Sequence, residues 1–254
     1  MNLALSNFAW DKYHAGSIFN SLRENNITQV ETILTKLKDW DKLTYIDLMN
    51  YKIVLDDYNL KSYSIQSLFY GVDCKITDVD VVVSHFKRVI NCAVTLGSKI
   101  LVFGSPNLRQ KHDGWKEALV SIFTQVDELL EGKDIKVVIE PNASVYNGQF
   151  FHNIEEIVNF IKENNLTNIR TMVDTHNSIL EKRNPMSDFL DYIDYIEHIH
   201  ISEPKLVPIV DKSLHLGWAN MIKNSKYDKT ITYEVLEHDT VLDSIKIFSQ
   251  IYNK

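Results

Sequence analysis

The chain has 254 residues, close to the roughly 250 of one (β/α)8 barrel, and its 44% hydrophobic content supports a sizeable core. The formal net charge is −7, which argues against a broad phosphate-binding face and hence against a nucleic-acid partner. No stretch approaches the roughly 18 apolar residues of a membrane span, so no membrane partner is expected.

The chain opens on MNLALSNFAW, which has no basic leader segment and no small-residue cleavage site. Within it, LALSNFAW predicts the first strand. GSIFNSLRENN carries Ile18, Phe19 and Leu22 at helical spacing, and its paired Asn residues suit a helix end. TQVETIL predicts the second strand. From there to about Lys61 the sequence reads as a long, irregular loop with a weak helix in VLDDYNL. YSIQSLFYG predicts a third strand ending in aromatics. VVVSHFKRVINCAVTLGS predicts a strong helix: Val82, Phe86, Val89, Ile90, Ala93 and Leu96 share a face, and Gly97 ends it. KILVFGSP is the fourth strand, and WKEALVSIFTQVDELLEG a helix closed by Gly132. IKVVIEPN, IRTMVDTHN, YIEHIHISEP and KTITYEVLEH are strands five to eight. The helices between and after them are NIEEIVNFIKENN, PMSDFLDYIDY, LHLGWANMIKNS and VLDSIKIFSQIY.

Strands that alternate with helices from end to end predict an α/β fold, a single (β/α)8 TIM barrel over residues 1–254. A doubly wound open sheet is the alternative. It would normally carry a glycine-rich phosphate turn after the first strand, where Phe8, Ala9 and Trp10 stand. Cys74 and Cys92 form neither a disulfide framework nor a CxxC knuckle. Two reduced thiols and no leader segment fit a cytoplasmic protein.

Four strands in the second half end in possible metal ligands: Glu140, Asp174, His200 and Glu234. Any one of them has an ordinary structural explanation, such as a helix cap or an ion pair. Four in succession at the rim where a barrel keeps its active site predict a divalent-metal centre. His198 and His200 are two apart and share a face; His200 is nearer the strand end, and His198 suits a buried hydrogen-bonding role. Around this rim, Glu31 can reach the pocket from strand two. Trp10, Tyr70 and Phe103 can form an apolar wall or simply pack. Asn142 and Asn177 can bind hydroxyls. Glu203 can orient a ligand, bind a hydroxyl or stay solvated. Arg109 and Lys205 are the candidates for an anionic substrate group, with surface solvation as the alternative.

The order and spacing of LALSNFAW, SIQSLFYG, LGSKILVFGSP, VVIEPN, MVDT and HIHISEP resemble the xylose-isomerase-like TIM barrels. This is the sugar-phosphate isomerase/epimerase group that includes ketose 3-epimerases, and the resemblance covers nearly the whole chain. It implies that Glu140, Asp174, His200 and Glu234 hold one divalent metal. The oxygen-rich set suits Mn²⁺, Mg²⁺ or Co²⁺, and the imidazole permits Zn²⁺. It implies that Glu140 and Glu234 double as an acid/base pair on a sugar or sugar derivative, isomerised or epimerised through a metal-stabilised enediolate. A homo-oligomer is compatible with it.

Two departures point away from a ketose 3-epimerase substrate. Asn177 stands where those enzymes carry a histidine, with His176 one place early, and Leu206 stands where they carry an arginine. An apurinic endonuclease of the same fold would need further histidines after strands three and four and an Asp-x-His after strand seven. Here Phe69–Tyr70 and Gly104–Ser105 stand after strands three and four, and Asp211 and His215 lie four apart. A metal-free sugar-binding barrel is the third reading, against which the four ligands argue.

Overall fold

Strand and helix alternate along the chain as β1 (Asn2–Ser6), α1 (Ala15–Glu24), β2 (Gln29–Ile33), α2 (Leu34–Leu37), α3 (Tyr45–Asp57), β3 (Lys61–Gln66), α4 (Val79–Leu96), β4 (Ile100–Phe103), α5 (Trp115–Leu130) and β5 (Lys136–Ile139). They continue as α6 (Ile154–Glu163), β6 (Ile169–Asp174), α7 (Thr175–Leu180), α8 (Pro185–Asp191), β7 (Ile196–Ile201), α9 (Lys212–Lys223), β8 (Thr230–Tyr233) and α10 (Val241–Tyr252). The computed structural model describes residues 1–11 and 13–253. All eight strands are parallel, pair in sequence order, and close where β1 meets β8 with Leu3 opposite Ile231. The open-sheet alternative is thereby excluded. No described helix is long and apolar enough to cross a membrane.

Closure divides the apolar residues. Outside the strands, Phe86, Phe103 and Phe123 pack ring against ring between β4, α4 and α5. On the other side, Leu3, Leu5, Ile199, Ile201 and Ile231 pack against α1, α9 and α10. Inside the barrel the apolar plug is small, with Ile100, Val102, Val138 and Met172 buried together. The side of the lumen toward β2, β3, β7 and β8 is instead polar. Glu31, Ser64, His198, His200 and Thr232 are all buried there. The repeat IEHIHI produces this split in β7: Ile199 and Ile201 join the helix-facing core, while His198 and His200 point inward.

Three sequence expectations change. The loop expected before Lys61 contains α3, a 13-residue helix begun by a reciprocal capping box between Thr44 and Asp47. Its apolar stripe is thin, with only Leu48 and Leu55 buried, so periodicity did not show it. The third strand stops at Gln66, where Ser67 at φ 55° turns the chain, and Tyr70 falls beyond it. A further short helix, α7, follows β6 directly, capped by the Asp174 side chain.

Candidate metal centre and its cavity

Strands β5 to β8 bring four polar side chains to one rim. Asp174 closes β6 opposite His200 on β7, and His200 lies opposite Thr232 on β8. Glu140 and Glu234 sit one residue beyond their strands, yet both stay on the ladder. Their amides donate to Phe103 O at 3.1 Å and Ile201 O at 2.9 Å.

The four side chains converge on one nitrogen. His200 Nδ1 lies 3.6 Å from Glu140 Oε1, 3.6 Å from Asp174 Oδ2 and 3.7 Å from Glu234 Oε2. The ring is fully buried, and Nδ1 has no hydrogen-bond partner. Buried polar atoms are rarely left so. The separations are too long for hydrogen bonds. They match what one ion imposes, since bonds of about 2.0–2.2 Å space its ligands roughly 3–3.6 Å apart. The donor set therefore fits a divalent cation.

Electrostatics agree. Burial drives the Glu234 carboxyl up to about 8, with Asp174, Glu140 and Glu31 adding repulsion against the pull of His200. Burial and Asp174 also raise Glu140, against His200. Burial opposes ionisation of Asp174, but His200 and the Asn177 amide outweigh it and hold the carboxyl below its usual range. Burial disfavours the charged form of His200 too, yet the surrounding carboxylates, led by Glu31 and Glu234, raise its pKa well above the ordinary value. Three carboxylates this close repel one another, and a divalent cation among them would relieve that repulsion.

Above the centre lies a cavity of about 290 Å³. Phe8, Val102, Pro106 and Leu206 supply its apolar walls, and Asn142, Tyr146, His176 and Asn177 are among its polar ones. Gly104 is there because nothing larger fits: a Cβ would meet Glu140 Oε2 at 2.2 Å. Asn142 Nδ2 donates to that same oxygen at 3.3 Å. Tyr146 donates its hydroxyl proton to His176 Nε2. His176 Nδ1 donates to the Glu203 carbonyl at 2.9 Å, which sets the tautomer.

The remaining expected residues divide. Asn142 and Asn177 line the cavity. Asn177 also accepts from the Ala143 amide at 3.0 Å. Trp10 is buried edge-on against Phe19, and Phe8 takes its place at the wall. Phe103 is buried in the outer aromatic cluster. Tyr70 is 73% exposed and borders a neighbouring cleft. Glu31 is buried in the lumen below the centre. Arg109 is not an anion receptor. Its guanidinium is buried between Phe103 and Phe151 and donates to Phe103 O at 2.8 Å, Glu140 O at 2.7 Å and Phe151 O at 3.2 Å. It pins the loop that presents Glu140. The Glu203 carboxylate turns away to His215 Nε2 at 3.1 Å and the Val210 amide at 3.1 Å. Lys205 stands in a left-handed turn at φ 67°, and its neighbour Leu206 reaches the cavity.

Sequence reading missed Phe8, Gly104, Tyr146 and His176 as cavity residues. Gly104 had a signal, in that a glycine directly follows a fully apolar strand. Tyr146 had none, because it lies in a short turn, Ser144–Tyr146, within the loop after β5 rather than at the strand end.

A search of curated protein sequences finds no match. Solved structures share the fold at low identity. The 3-keto-D-glucoside 4-epimerase YcjR from E. coli is 16% identical, with a TM-score of 0.74, 98% of this chain covered and 97% of that one. D-psicose 3-epimerase from Clostridium cellulolyticum H10, crystallised with D-tagatose, is 14% identical at TM-score 0.75, covering 100% and 92%. An AP endonuclease, family 2, from Brucella melitensis is 12% identical at TM-score 0.78, covering 98% and 99%. Residues 19–250 match the profile of one sequence family across most of the chain, and the protein therefore belongs to the xylose isomerase-like TIM barrel family.

Proposed function

We propose that the protein is a divalent-metal-dependent isomerase or epimerase acting on a sugar or sugar derivative. The observation that carries this reading is the buried, unpartnered His200 Nδ1 facing three carboxylates at 3.6–3.7 Å beneath a cavity. Glu140, Asp174, His200 and Glu234 would hold the ion. When bound, a divalent ion supplies positive charge beside a substrate carbonyl, which makes the adjacent carbon a stronger acid.

The chain's own residues do the rest. Glu140 and Glu234 enter from strands β5 and β8, with β6 and β7 between them. Two carboxylates brought to one carbon from separate strands can remove a proton on one side and return one on another. Asn142 and Gly104 keep Glu140 in place from one side, and Arg109 fixes its backbone. Phe8, Val102, Pro106 and Leu206 exclude water over part of the wall. Tyr146 and Asn177 offer oxygens and an amide to substrate hydroxyls.

The test is a panel of sugars, sugar acids and sugar phosphates incubated with the protein in D₂O, with Mn²⁺, Mg²⁺, Co²⁺ or Zn²⁺, and read by NMR. The proposal expects deuterium at a single carbon of at least one compound, dependent on metal. Turnover of a compound without incorporation at any carbon would contradict a proton-transfer mechanism.

A further inference from the structure

Below the metal centre lies a buried carboxylate that no role so far explains. Glu31 on β2 is fully buried in the lumen. Its Oε2 accepts from Ser64 Oγ at 2.7 Å and from His198 Nε2 at 3.1 Å. Its Oε1 lies 2.9 Å from His200 Nε2, an ion-pair contact outside hydrogen-bond geometry, and neither of these two atoms has a hydrogen-bond partner. His198 is itself held by Thr232 Oγ1 at 3.1 Å.

We propose that Glu31 is the positioning residue of the metal centre: it holds His200 Nε2–H from below, so that Nδ1 presents its lone pair to the ion. The proposal rests on the metal-centre reading above. An imidazole that ligates through one nitrogen is fixed in tautomer and orientation by what its other nitrogen donates to, and a carboxylate there raises its basicity. Glu31 places a carboxylate against that second nitrogen from an element that contributes no residue to the cavity. Two local irregularities bring the partners together. β3 carries one extra residue between Ser62 and Ser64 against β2, and β7 carries one between Ile196 and His198 against β6. Each such bulge re-aims the side chain that follows it, and those side chains are Ser64 and His198.

Glu31, His198 and His200 are close enough together to be mistaken for a second ion site. The 2.9 Å separation argues otherwise. Two ligands of one tetrahedral ion would stand roughly 3.3 Å apart, farther than Glu31 Oε1 and His200 Nε2 do. Ser64 and His198 also already occupy Oε2.

The experiment is calorimetric titration of the full chain with Mn²⁺ and with Co²⁺, for wild type, Glu31→Gln and the control Glu203→Gln. Folding is checked by circular dichroism, and the Co²⁺ d–d absorption is recorded on each loaded protein. Wild type and Glu203→Gln are expected to bind one ion alike. Glu31→Gln should remain folded, bind about 10–100-fold more weakly, and show a changed Co²⁺ spectrum, because the imidazole ligand loses its anchor. Should Glu31→Gln not fold, Ser64→Ala, which removes one donor to Glu31, is titrated instead. Weakening beyond titration error then supports the proposal, and superimposable isotherms overturn it. Wild-type affinity and spectrum in Glu31→Gln would overturn the positioning role alone. Two ions in wild type and one in Glu31→Gln would make Glu31 a ligand and overturn it too. No ion bound by wild type would remove the metal centre, and this proposal with it.

Discussion

Glu140 has four constraints on it: the Gly104 gap, the Asn142 amide, the Arg109 anchor on its carbonyl, and its share of the charge beside His200. Gly104→Ala should therefore act as a site mutation without altering a functional group. The added methyl meets a carboxylate oxygen, so the Glu140 side chain must swing away. Metal affinity and turnover should both fall while the melting temperature changes little; an unchanged metal affinity would refute the role given to Gly104. Glu140→Gln and Glu234→Gln should each lower turnover by at least about 10²–10⁴-fold with the ion retained. In one of the two, slow deuterium exchange at the reacting carbon should persist, because the first proton transfer survives. A variant that holds its ion and turns over near the wild-type rate would exclude a two-base mechanism. At this scale, the residues legible in the sequence were those where one chemical type recurs at successive strand ends. Arg109 and Glu203 were misread because charge suggests solvent or substrate, and only packing reveals a guanidinium spent on three carbonyls or a carboxylate spent on His215.

Among the elements, α4 and α5 were legible because each carries a broad apolar stripe, and Gly97 ends α4 at φ 78°. The same stripes meet β4 through Phe86, Phe103 and Phe123. Phe86→Ala should cost about 3–5 kcal/mol in denaturant unfolding, since it empties the middle of that cluster. A loss under about 1 kcal/mol would mean that the aromatic layer does not hold the helices to the barrel. α3 was illegible for the opposite reason: its burial is slight, and its signal is the Thr44–Asp47 box. α7 is too short for periodicity, and its start depends on a side chain, Asp174, already assigned to the metal. The bulges in β3 and β7 leave no mark in composition, which is why Glu31 read as a cavity residue when it lies beneath the centre.

For the molecule as a whole, the metal centre couples folding to protonation and to ion binding. Without an ion, Glu234 is raised from 4.5 to about 8, so the folded chain binds a proton there that the unfolded chain releases. A raised carboxyl contributes stability that is present below the unfolded value and lost as pH rises through the folded one. His200, also raised, acts in the same direction above its ordinary value of 6.5. The metal-free protein should therefore lose melting temperature as pH rises from about 4.5 to about 8, more steeply above 6.5 where His200 adds to Glu234. Saturating Mn²⁺ should flatten that loss, because ion binding favours the deprotonated forms; at 100 times Kd it adds about 2.7 kcal/mol. Equal pH profiles with and without the ion would contradict this linkage. A duplex carrying an abasic site should stay uncut at any metal loading. Phe69–Tyr70 and Gly104–Ser105 after β3 and β4 supply no imidazole for additional ions. Cleavage that Glu140→Gln abolishes would reverse that expectation.

The central claim is that four strand-end residues hold one ion. Anomalous diffraction from crystals grown with Mn²⁺, recorded near the manganese absorption edge, tests it without reference to any substrate. The account predicts one strong peak bonded to Glu140, Asp174, His200 Nδ1 and Glu234. A peak at Glu31 and His198, or at the exposed Asp11, His14 and Glu237 group, with none among the four, would contradict it.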